Sequence, residues 1–317
     1  MIENKKRLVD AARRLLAIGT KEEEVLQSMV DLGISEEEAK SMLVEAKSPK
    51  KESIITKDIT ESPKEPFSRI SSNNFSKITP LLVGDFDKLL DKGGVKKGDI
   101  IVLSGPAGTG KTTFCVEFLY KGAKVKEEKG IFFTIDERPN RLKEKFSENF
   151  GWDITELESK NLVSIISLDT DLILRAIEAK EESEKGSLLI EKDEISLPFP
   201  EKIPFVPNRI VLDNLSALKV LLKQNLQGFN DYIKALFQYL KSTEAVSIIV
   251  DEGQSKKDLH LILADGIINL YSVKTNNRRE TALEIIKMRS TSHVKKLVPY
   301  RITSKGFEVF PYEETYF

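Results

Sequence analysis

The fold of this chain is decided by the stretch Ile100-Ile-Val-Leu-Ser-Gly105-Pro-Ala-Gly-Thr-Gly110-Lys-Thr112. It begins with an apolar, largely β-branched run, as a buried strand does. The glycines that follow allow the backbone to curl, so that its N–H groups point inward at the start of the helix predicted over residues 114–120. A strand, a glycine-rich turn, Lys and Thr in this order form the Walker A phosphate-binding loop, so the sequence predicts a nucleoside triphosphate site.

Each residue of this loop is a candidate contact of the nucleotide. Lys111 is expected to contact the β and γ phosphates, and the Thr112 hydroxyl is expected to ligate Mg²⁺. The residues predicted to bind the nucleotide are Gly105, Pro106, Ala107, Gly108, Thr109, Gly110, Lys111, Thr112, Thr113 and, further along the chain, Asp213.

A second motif, Arg209-Ile-Val-Leu-Asp213, is an apolar strand that ends in a carboxylate, which is the Walker B pattern. Asp213 is expected to hold the hydration shell of Mg²⁺ while Thr112 binds the ion directly. An Asp at a strand end is often only a turn or cap residue, but a phosphate loop on the neighbouring strand favours the metal role. Mg²⁺ is the only metal predicted, because His260 and His293 have no cysteine or acidic partner at ligand spacing.

Two acids follow another strand pattern, Ile131-Phe-Phe-Thr-Ile135. Asp136 and Glu137 lie where a carboxylate can orient and partly deprotonate the water that attacks a γ-phosphate. The alternative is that one of them caps the helix that begins near Pro139. The two interpretations are compatible, since each acid can serve one of them.

Short β-branched runs alternate with amphipathic helix patterns through most of the chain. This alternation indicates an α/β fold, in which helices cover both faces of a mostly parallel sheet and ligands bind at the carboxyl ends of the strands. The predicted parallel strands are 100–103, 130–135, 162–168, 209–212 and 247–250. An antiparallel C-terminal extension is predicted from the consecutive patterns 266–272, 283–288, 298–303 and 307–310.

Composition divides the chain into three parts. Residues 1–48 contain capping boxes at Thr20-Lys-Glu-Glu23 and Ser35-Glu-Glu-Glu38, and their apolar residues at helical spacing predict a small all-α bundle of three helices. The bundle resembles ubiquitin-associated-type domains, and it is either a stabilising appendage or a module that docks a protein partner. Residues 49–79 have few apolar side chains and predict a flexible linker. The nucleotide-binding domain is predicted over residues 80–317, with a charged surface insertion at 178–207.

The whole chain, 317 residues with 40% hydrophobic side chains and a net charge of −1, has the balance of a soluble globular protein. A net charge near zero gives no overall attraction to nucleic acid or to an anionic membrane, so such binding would need a local patch. The sequence has no charged-then-apolar leader and no apolar run of about twenty residues. We therefore expect a cytoplasmic protein with no membrane association.

Several short motifs follow one another in a defined order. They are Gly84-Asp-Phe-Asp-Lys-Leu-Leu-Asp-Lys-Gly93-Gly94, the 105–112 loop, Phe118-Leu-Tyr-Lys-Gly122, Asp136-Glu137, Phe150-Gly-Trp-Asp153, Val211-Leu-Asp-Asn214, Ala264-Asp-Gly266 and Lys287-Met-Arg-Ser-Thr-Ser-His293. This order resembles that of KaiC-like ATPases of the RecA superfamily over about residues 80–312. The resemblance implies a RecA-like P-loop NTPase fold, ATP hydrolysis, and a homo-oligomeric ring, usually a hexamer, with ATP held between neighbours.

The same resemblance gives Lys287 and Arg289 a role in the neighbouring subunit, where the pair neutralises charge that develops on the γ-phosphate, as an arginine finger does. Without the resemblance, these are alternating residues on one face of a strand, which is most often a solvated edge. The predicted catalytic residues are Lys111, Asp136, Glu137, Lys287 and Arg289. The chain has Asp136 where the family usually has Glu, and this shorter side chain predicts slow hydrolysis, because a misplacement near one ångström can cost about a hundredfold in rate.

Four functions are compatible with these features. The leading one is an ATP-hydrolysing oligomeric switch or motor. The second is nucleic-acid binding, as in RecA recombinases, through two predicted loops that carry lysines but only one aromatic residue. These are Ser216–Phe229, with Lys219, Lys223 and Phe229, and Glu252–Leu261, with Lys256 and Lys257. The third is a scaffold that ATP assembles and that recruits a protein partner through residues 1–48. The fourth is self-phosphorylation on Ser290, Thr291 or Ser292.

Overall fold

The computed structural model describes residues 26, 35–47, 78–186, 195–222, 225–253, 258–275, 278–313 and 315. The chain divides into two compact units, residues 1–71 and 72–317. Among the described residues, none of the helices has the length and apolar character of a membrane span.

The described helices are α1 Glu36–Lys47, α2 Lys111–Lys126, α3 Pro139–Phe150, α4 Ile154–Ser159, α5 Thr170–Gly186, α6 Leu215–Leu221, α7 Leu226–Ser242 and α8 Leu259–Leu263, with 3₁₀ turns at Phe86–Leu89 and Pro200–Lys202. The described strands are β1 Ile78–Thr79, β2 Val95–Lys96, β3 Ile100–Ser104, β4 Gly130–Thr134, β5 Val163–Ser167, β6 Arg209–Asp213, β7 Val246–Asp251, β8 Gly266–Thr275, β9 Arg278–Met288, β10 Val298–Thr303 and β11 Gly306–Val309.

In the first unit, α1 begins at the predicted capping box. The Glu38 amide donates to Ser35 Oγ over 3.4 Å, and the Ser35 hydroxyl donates to the Glu38 carboxylate over 3.0 Å. One face of α1 is buried through Ala39, Met42 and Leu43. Apart from Leu26, the other two predicted helices of the bundle lie outside the described residues, as do residues 49–77 of the predicted linker.

The second unit is built on one large sheet with the strand order β11-β10-β9-β8-β3-β7-β6-β4-β5. Strands β8, β3, β7, β6, β4 and β5 run parallel to one another. The predicted α/β fold with a mostly parallel sheet is therefore confirmed. Strand β8 pairs in parallel with β3 and in antiparallel with β9, so the predicted antiparallel extension begins one strand later than expected.

The strand order corrects one expectation about the site. The Walker B strand β6 was expected beside the phosphate-loop strand β3, but β7 lies between them. The register aligns Ser104 of β3 with Asp251 of β7, and Thr134 of β4 with Asp213 of β6. Because these strands are parallel, all four carboxyl ends meet at one edge of the sheet.

Two hydrophobic clusters cover the two faces of the sheet. Alternate residues of β3 belong to each: Ile101 and Leu103 pack in the cluster that contains α2, whereas Ile100 and Val102 pack in the cluster that contains α6 and α7. This alternation follows from the two-residue side-chain period of a strand. Burial on both faces explains why the strands read as continuous apolar runs.

The predicted surface insertion at 178–207 differs from expectation. Helix α5 continues to Gly186, and two apolar side chains of the segment after it are buried. Ile195 is 6% exposed and Phe199 is 1% exposed. The Phe199 ring lies 4.7 Å from that of Phe133 on β4, centroid to centroid. This part of the segment therefore contributes to the core, because its prolines are interspersed with aromatic and aliphatic side chains that the fold buries.

Candidate functional site

The loop between β3 and α2 has the backbone conformation that its glycines permit. Gly105 has φ +155° and Gly110 has φ +91°. A Cβ atom on Gly105 would lie 2.5 Å from the backbone oxygen of Leu270, and one on Gly110 would lie 2.2 Å from Cδ1 of Ile302. The positive φ disfavours other residues at both positions, and at Gly105 the Leu270 backbone also leaves no space for a side chain.

The Lys111 side chain folds back over this loop. Its Nζ donates to the carbonyl oxygens of Gly105 over 2.8 Å and of Pro106 over 3.0 Å. It also lies 3.1 Å from Oε1 of Glu252, which follows β7. Only 6% of Lys111 is exposed, so its charge is concentrated on the phosphate loop, where an anion would bind.

Thr112 and Asp213, the predicted metal ligands, are in contact. Thr112 Oγ1 donates to Asp213 Oδ2 over 2.7 Å. Burial raises the pKa of Asp213 to about 6, against the Thr112 hydrogen bond and the Lys111 charge, which lower it. The charges of Asp136 and Glu137 add to the rise. A hydroxyl and a partly buried carboxylate suit a hard divalent cation, which would favour the ionised form of Asp213.

The two predicted water-activating acids have different surroundings. Asp136 is exposed and accepts a hydrogen bond of 2.8 Å from the Asn214 amide, so it lies beside the Walker B strand. The Glu137 carboxylate lies 3.5 Å from Lys145 of α3. Helix α3 begins at Pro139 after Arg138 and has no side-chain cap, so the alternative role of these acids as N-caps is not supported.

The carboxyl end of β7 contains polar residues that sequence reasoning missed. Ser216 Oγ donates to Asp251 Oδ1 over 2.7 Å and accepts from the Glu252 amide over 2.7 Å. His260 Nε2 lies 3.0 Å from Asp251 Oδ2, and both residues are almost completely buried. The sequence did contain a signal, because Asp251-Glu252 follows an apolar strand just as Asp136-Glu137 does.

His260 therefore has acidic partners that sequence spacing did not reveal. Burial alone would raise the pKa of Asp251, but hydrogen bonds from His260 and Ser216 outweigh it and hold that pKa at about 2. Asp258, the other acid near His260, lies 2.5 Å from the Lys219 ammonium. A cation here would have to displace hydrogen bonds and a lysine, so the geometry describes a polar network and not a metal site.

Lys287 and Arg289 do not approach the phosphate loop of their own chain. Met288, between them, pairs with Gly266, and Gly266 pairs with Ile101 near the amino end of β3, opposite the loop. Lys287 Nζ donates to the carbonyl oxygens of Leu261 and Ile262 of α8, each at 3.3 Å. Burial and the nearby Arg289 lower the pKa of Lys287. Arg289 is exposed and donates to the same Ile262 oxygen over 3.5 Å.

The structure also bears on the loops proposed to contact nucleic acid. Residues Ser216–Leu221 lie within helix α6 and do not form a loop, and Phe229 is buried in α7. Lys219 is paired with Asp258, while Lys223, Lys256 and Lys257 lie outside the described residues. The one aromatic residue predicted for these loops therefore has no accessible face on which a base could stack.

Comparison with known proteins agrees with this architecture. A family model described as ATPase: KaiC matches residues 79–314. The circadian clock oscillator protein KaiC of Synechococcus elongatus is 27% identical over 239 residues, which are 73% of this chain and 43% of that protein. The UPF0273 protein MJ1359 of Methanocaldococcus jannaschii is 29% identical over 226 residues, 69% of this chain and 90% of that protein. The chain thus spans less than half the length of the clock protein.

A solved structure gives the same result. The crystal structure of the KaiC-like protein PH0186 from the hyperthermophilic archaeon Pyrococcus horikoshii OT3 superposes with a TM-score of 0.59 at 26% identity. It covers 74% of this chain and 100% of that chain. The strand order, the phosphate loop and the family match over residues 79–314 lead to one conclusion: the chain belongs to the KaiC family of ATPases.

Proposed function

We propose that this protein binds ATP with Mg²⁺, hydrolyses it slowly, and acts as an oligomeric nucleotide switch or motor. The observation that carries the proposal is the contact of Thr112 with Asp213 beside the buried Lys111 ammonium. A hydroxyl, a carboxylate and an ammonium around a glycine-rich loop are the groups that a Mg²⁺-triphosphate requires. The wider loop, residues 105–113, supplies backbone N–H groups to the phosphates.

Each side chain has a role that follows from its chemistry. Lys111 neutralises charge on the β and γ phosphates, and Asp136, oriented by Asn214, positions the attacking water. Glu137 is next to Asp136 and pairs with Lys145, and it adds a second negative charge near the attacking water. Mg²⁺, held by Thr112 and Asp213, would supply Lewis-acid stabilisation of the transferred phosphoryl group.

The proposed assembly is a homo-oligomeric ring, hexameric as the family resemblance implies, with ATP between subunits. It is supported by the distribution of cations in one chain, because Lys287 and Arg289 lie at the sheet edge opposite the phosphate loop. We call Lys287 and Arg289 the finger residues. In a head-to-tail ring, the finger residues of one subunit meet the phosphate loop of the next subunit. Lys287 and Arg289 would then add two cations from the neighbouring subunit to the site around Lys111.

The direct test is binding of labelled ATP by the unmodified protein and by Lys111→Ala, followed by measurement of phosphate release. The proposal expects Mg²⁺-dependent binding that Lys111→Ala loses. Equal binding by both proteins, or by neither, would mean that the site is wrongly assigned. Mass measurement with and without ATP and Mg²⁺ tests the ring.

A scaffold role is the second candidate, since residues 1–48 could recruit a protein partner while ATP only drives assembly. The two roles are separated by measuring phosphate release and partner binding together. Phosphate release that leaves partner binding unchanged would indicate an enzyme and not a scaffold. A DNA-binding role is the third. It is tested by a gel shift at increasing salt, because phosphate contacts weaken steeply with ionic strength.

A further inference from the structure

The Lys111 ammonium has three N–H donors, and three acceptors surround it in this structure. They are the Gly105 oxygen at 2.8 Å, the Pro106 oxygen at 3.0 Å and Glu252 Oε1 at 3.1 Å. Among the described residues, the two carbonyl oxygens accept hydrogen bonds from Lys111 and Glu252 forms an ion pair with it, so a phosphate oxygen that binds Lys111 competes with these groups. The two carbonyl groups belong to the loop backbone, whereas the Glu252 side chain is 43% exposed and can move into solvent.

The charges also indicate that Glu252 is the group that a phosphate displaces. A carboxylate close to Lys111 would repel a γ-phosphate that approaches the same ammonium, and solvent around the 43% exposed Glu252 side chain reduces this repulsion without removing it. The neutral carbonyl oxygens carry no such charge. Glu252 and the γ-phosphate are therefore competing anions for one buried cation.

Glu252 is also the first member of a continuous chain of polar contacts. Its amide donates to Ser216 Oγ over 2.7 Å, and Ser216 donates to Asp251 over 2.7 Å. Asp251 in turn lies 3.0 Å from His260 Nε2 in α8. Because Asp251 and His260 are 1% and 0% exposed, a displacement of one must be accommodated by the other.

Helix α8 links this series of polar contacts to the finger residues. Its Leu261 and Ile262 oxygens accept hydrogen bonds from Lys287, and its Ile262 oxygen also accepts one from Arg289. The phosphate-loop lysine and the Lys-x-Arg pair of the same chain are thus connected through β7 and α8.

We propose, building on the ATP-binding function above, that Glu252 is an internal counter-ion of Lys111 that the γ-phosphate displaces. The displacement moves α8 through Ser216, Asp251 and His260, and so repositions the finger residues that this subunit offers to its neighbour. A ligand shifts an equilibrium only when it interacts differently with the two states. The two states here are Lys111 paired with Glu252 and Lys111 paired with phosphate.

The first test is titration of ATP and ADP, with Mg²⁺, into the unmodified protein, Glu252→Gln and Glu244→Gln. Glu244 is the matched control, because it precedes β7, at the other end of the strand, and pairs with Lys97. We expect Glu252→Gln to bind ATP about fivefold more tightly, with a smaller gain for ADP, since removing a like charge at this range is worth about a factor of this size. Glu244→Gln should bind both as the unmodified protein does.

The outcomes separate this inference from the proposed function. If the unmodified protein binds ATP and Glu252→Gln binds it no more tightly, the counter-ion role is wrong while the ATP site stands. If the unmodified protein binds no ATP, the proposed function itself is wrong and this inference falls with it.

The second test is hydrogen exchange of the backbone amides of residues 259–264. ATP should change this exchange in the unmodified protein, and Glu252→Gln should show part of the change before ATP is added. Ser216→Ala should still bind ATP but should transmit less of the change. Identical exchange with and without saturating ATP in the unmodified protein would overturn the transmission step.

Discussion

The Thr112 hydroxyl donates a 2.7 Å hydrogen bond to Asp213 Oδ2, and this contact joins the phosphate loop to a strand two places away in the sheet. The contact is made across the carboxyl end of β7, at the edge where parallel strands present their functional groups. Because burial raises the pKa of Asp213 to about 6, its negative charge disfavours the folded protein at neutral pH unless a cation is bound.

The first prediction follows from that charge. In chelator at pH 7, Asp213→Asn should raise the free energy of unfolding by about 3 kcal/mol, because its folded pKa of about 6 exceeds the ordinary value of 3.8. The unmodified protein should accordingly lose stability as pH rises from about 4 to about 6. The measurement is thermal unfolding at several pH values, with a second series in Mg²⁺-ATP, where the variant should lose the ligand-induced gain.

Asp231 provides a control, because its pKa is shifted in the opposite direction to that of Asp213. Burial would raise its pKa, but hydrogen bonds from Lys180, Lys234 and Gln227 prevail and lower it to about 2. Asp231→Asn should therefore destabilise the protein at pH 7, and the stability that Asp231 contributes should be lost as pH falls from about 4 to about 2. Destabilisation by both variants in chelator would contradict the assignment for Asp213.

A second prediction concerns Asp136, which stands in the proposed catalytic pair where the family resemblance implies Glu. Asp136→Glu should raise the rate of phosphate release several-fold or more, because one added methylene brings the carboxylate closer to the attacking water, and small displacements carry large rate effects. Asp136→Ala should lower it further. Turnover that is unchanged in Asp136→Ala would exclude a catalytic role for this residue, and Glu137→Gln then becomes the next variant to measure.

The sequence predicted the strands and the phosphate loop well because both depend on local patterns. Apolar runs of four to six residues mark buried parallel strands, and Gly105 to Thr112 form a motif whose conformation is largely self-contained. Thr112 and Asp213 were predicted to serve one metal ion, and the structure places them in hydrogen-bond contact, although the intervening strand β7 was not foreseen.

What could not be predicted depends on strand order and on burial. Nothing local shows that β7 adjoins β3, so Glu252 was not placed beside Lys111. Arg209 was interpreted only as the start of a strand, yet its side chain is fully buried and donates to the Pro80, Leu81 and Phe118 oxygens and to Glu128. Because these partners are distant from Arg209 in sequence, the local pattern did not predict that its side chain would be buried.

A third prediction tests whether the finger residues act between subunits. Lys111→Ala and Arg289→Ala should each lower hydrolysis about a hundredfold or more when alone. Co-assembled in equal amounts, they should recover activity, because about a quarter of the interfaces in a head-to-tail ring then pair an intact loop with an intact finger.

Arg279→Ala is the matched control for this experiment. Arg279 is an exposed arginine on the same strand β9, paired across the hairpin with Lys274. Alone, it should hydrolyse ATP at the unmodified rate. An absence of recovery in co-assembled rings of confirmed mixed composition would show that Arg289 does not act on the neighbouring site.

The last prediction concerns support of the phosphate loop by the C-terminal hairpin. Tyr300 of β10 is 2% exposed, and its hydroxyl donates to the Thr109 oxygen over 2.7 Å, while its ring stacks on Phe307. Tyr300→Phe keeps the ring and removes only the hydroxyl, which leaves the loop carbonyl without its buried donor, at a cost of about 1 kcal/mol or more. ATP affinity should fall several-fold, since the loop would no longer be held in its binding conformation.

Tyr271→Phe is the control. It removes a hydroxyl that donates to Glu284 and not to the loop, so the ATP affinity of this variant should match that of the unmodified protein. Equal affinities for both variants, measured by titration at matched folded fraction, would show that the hairpin stabilises the fold without shaping the nucleotide site.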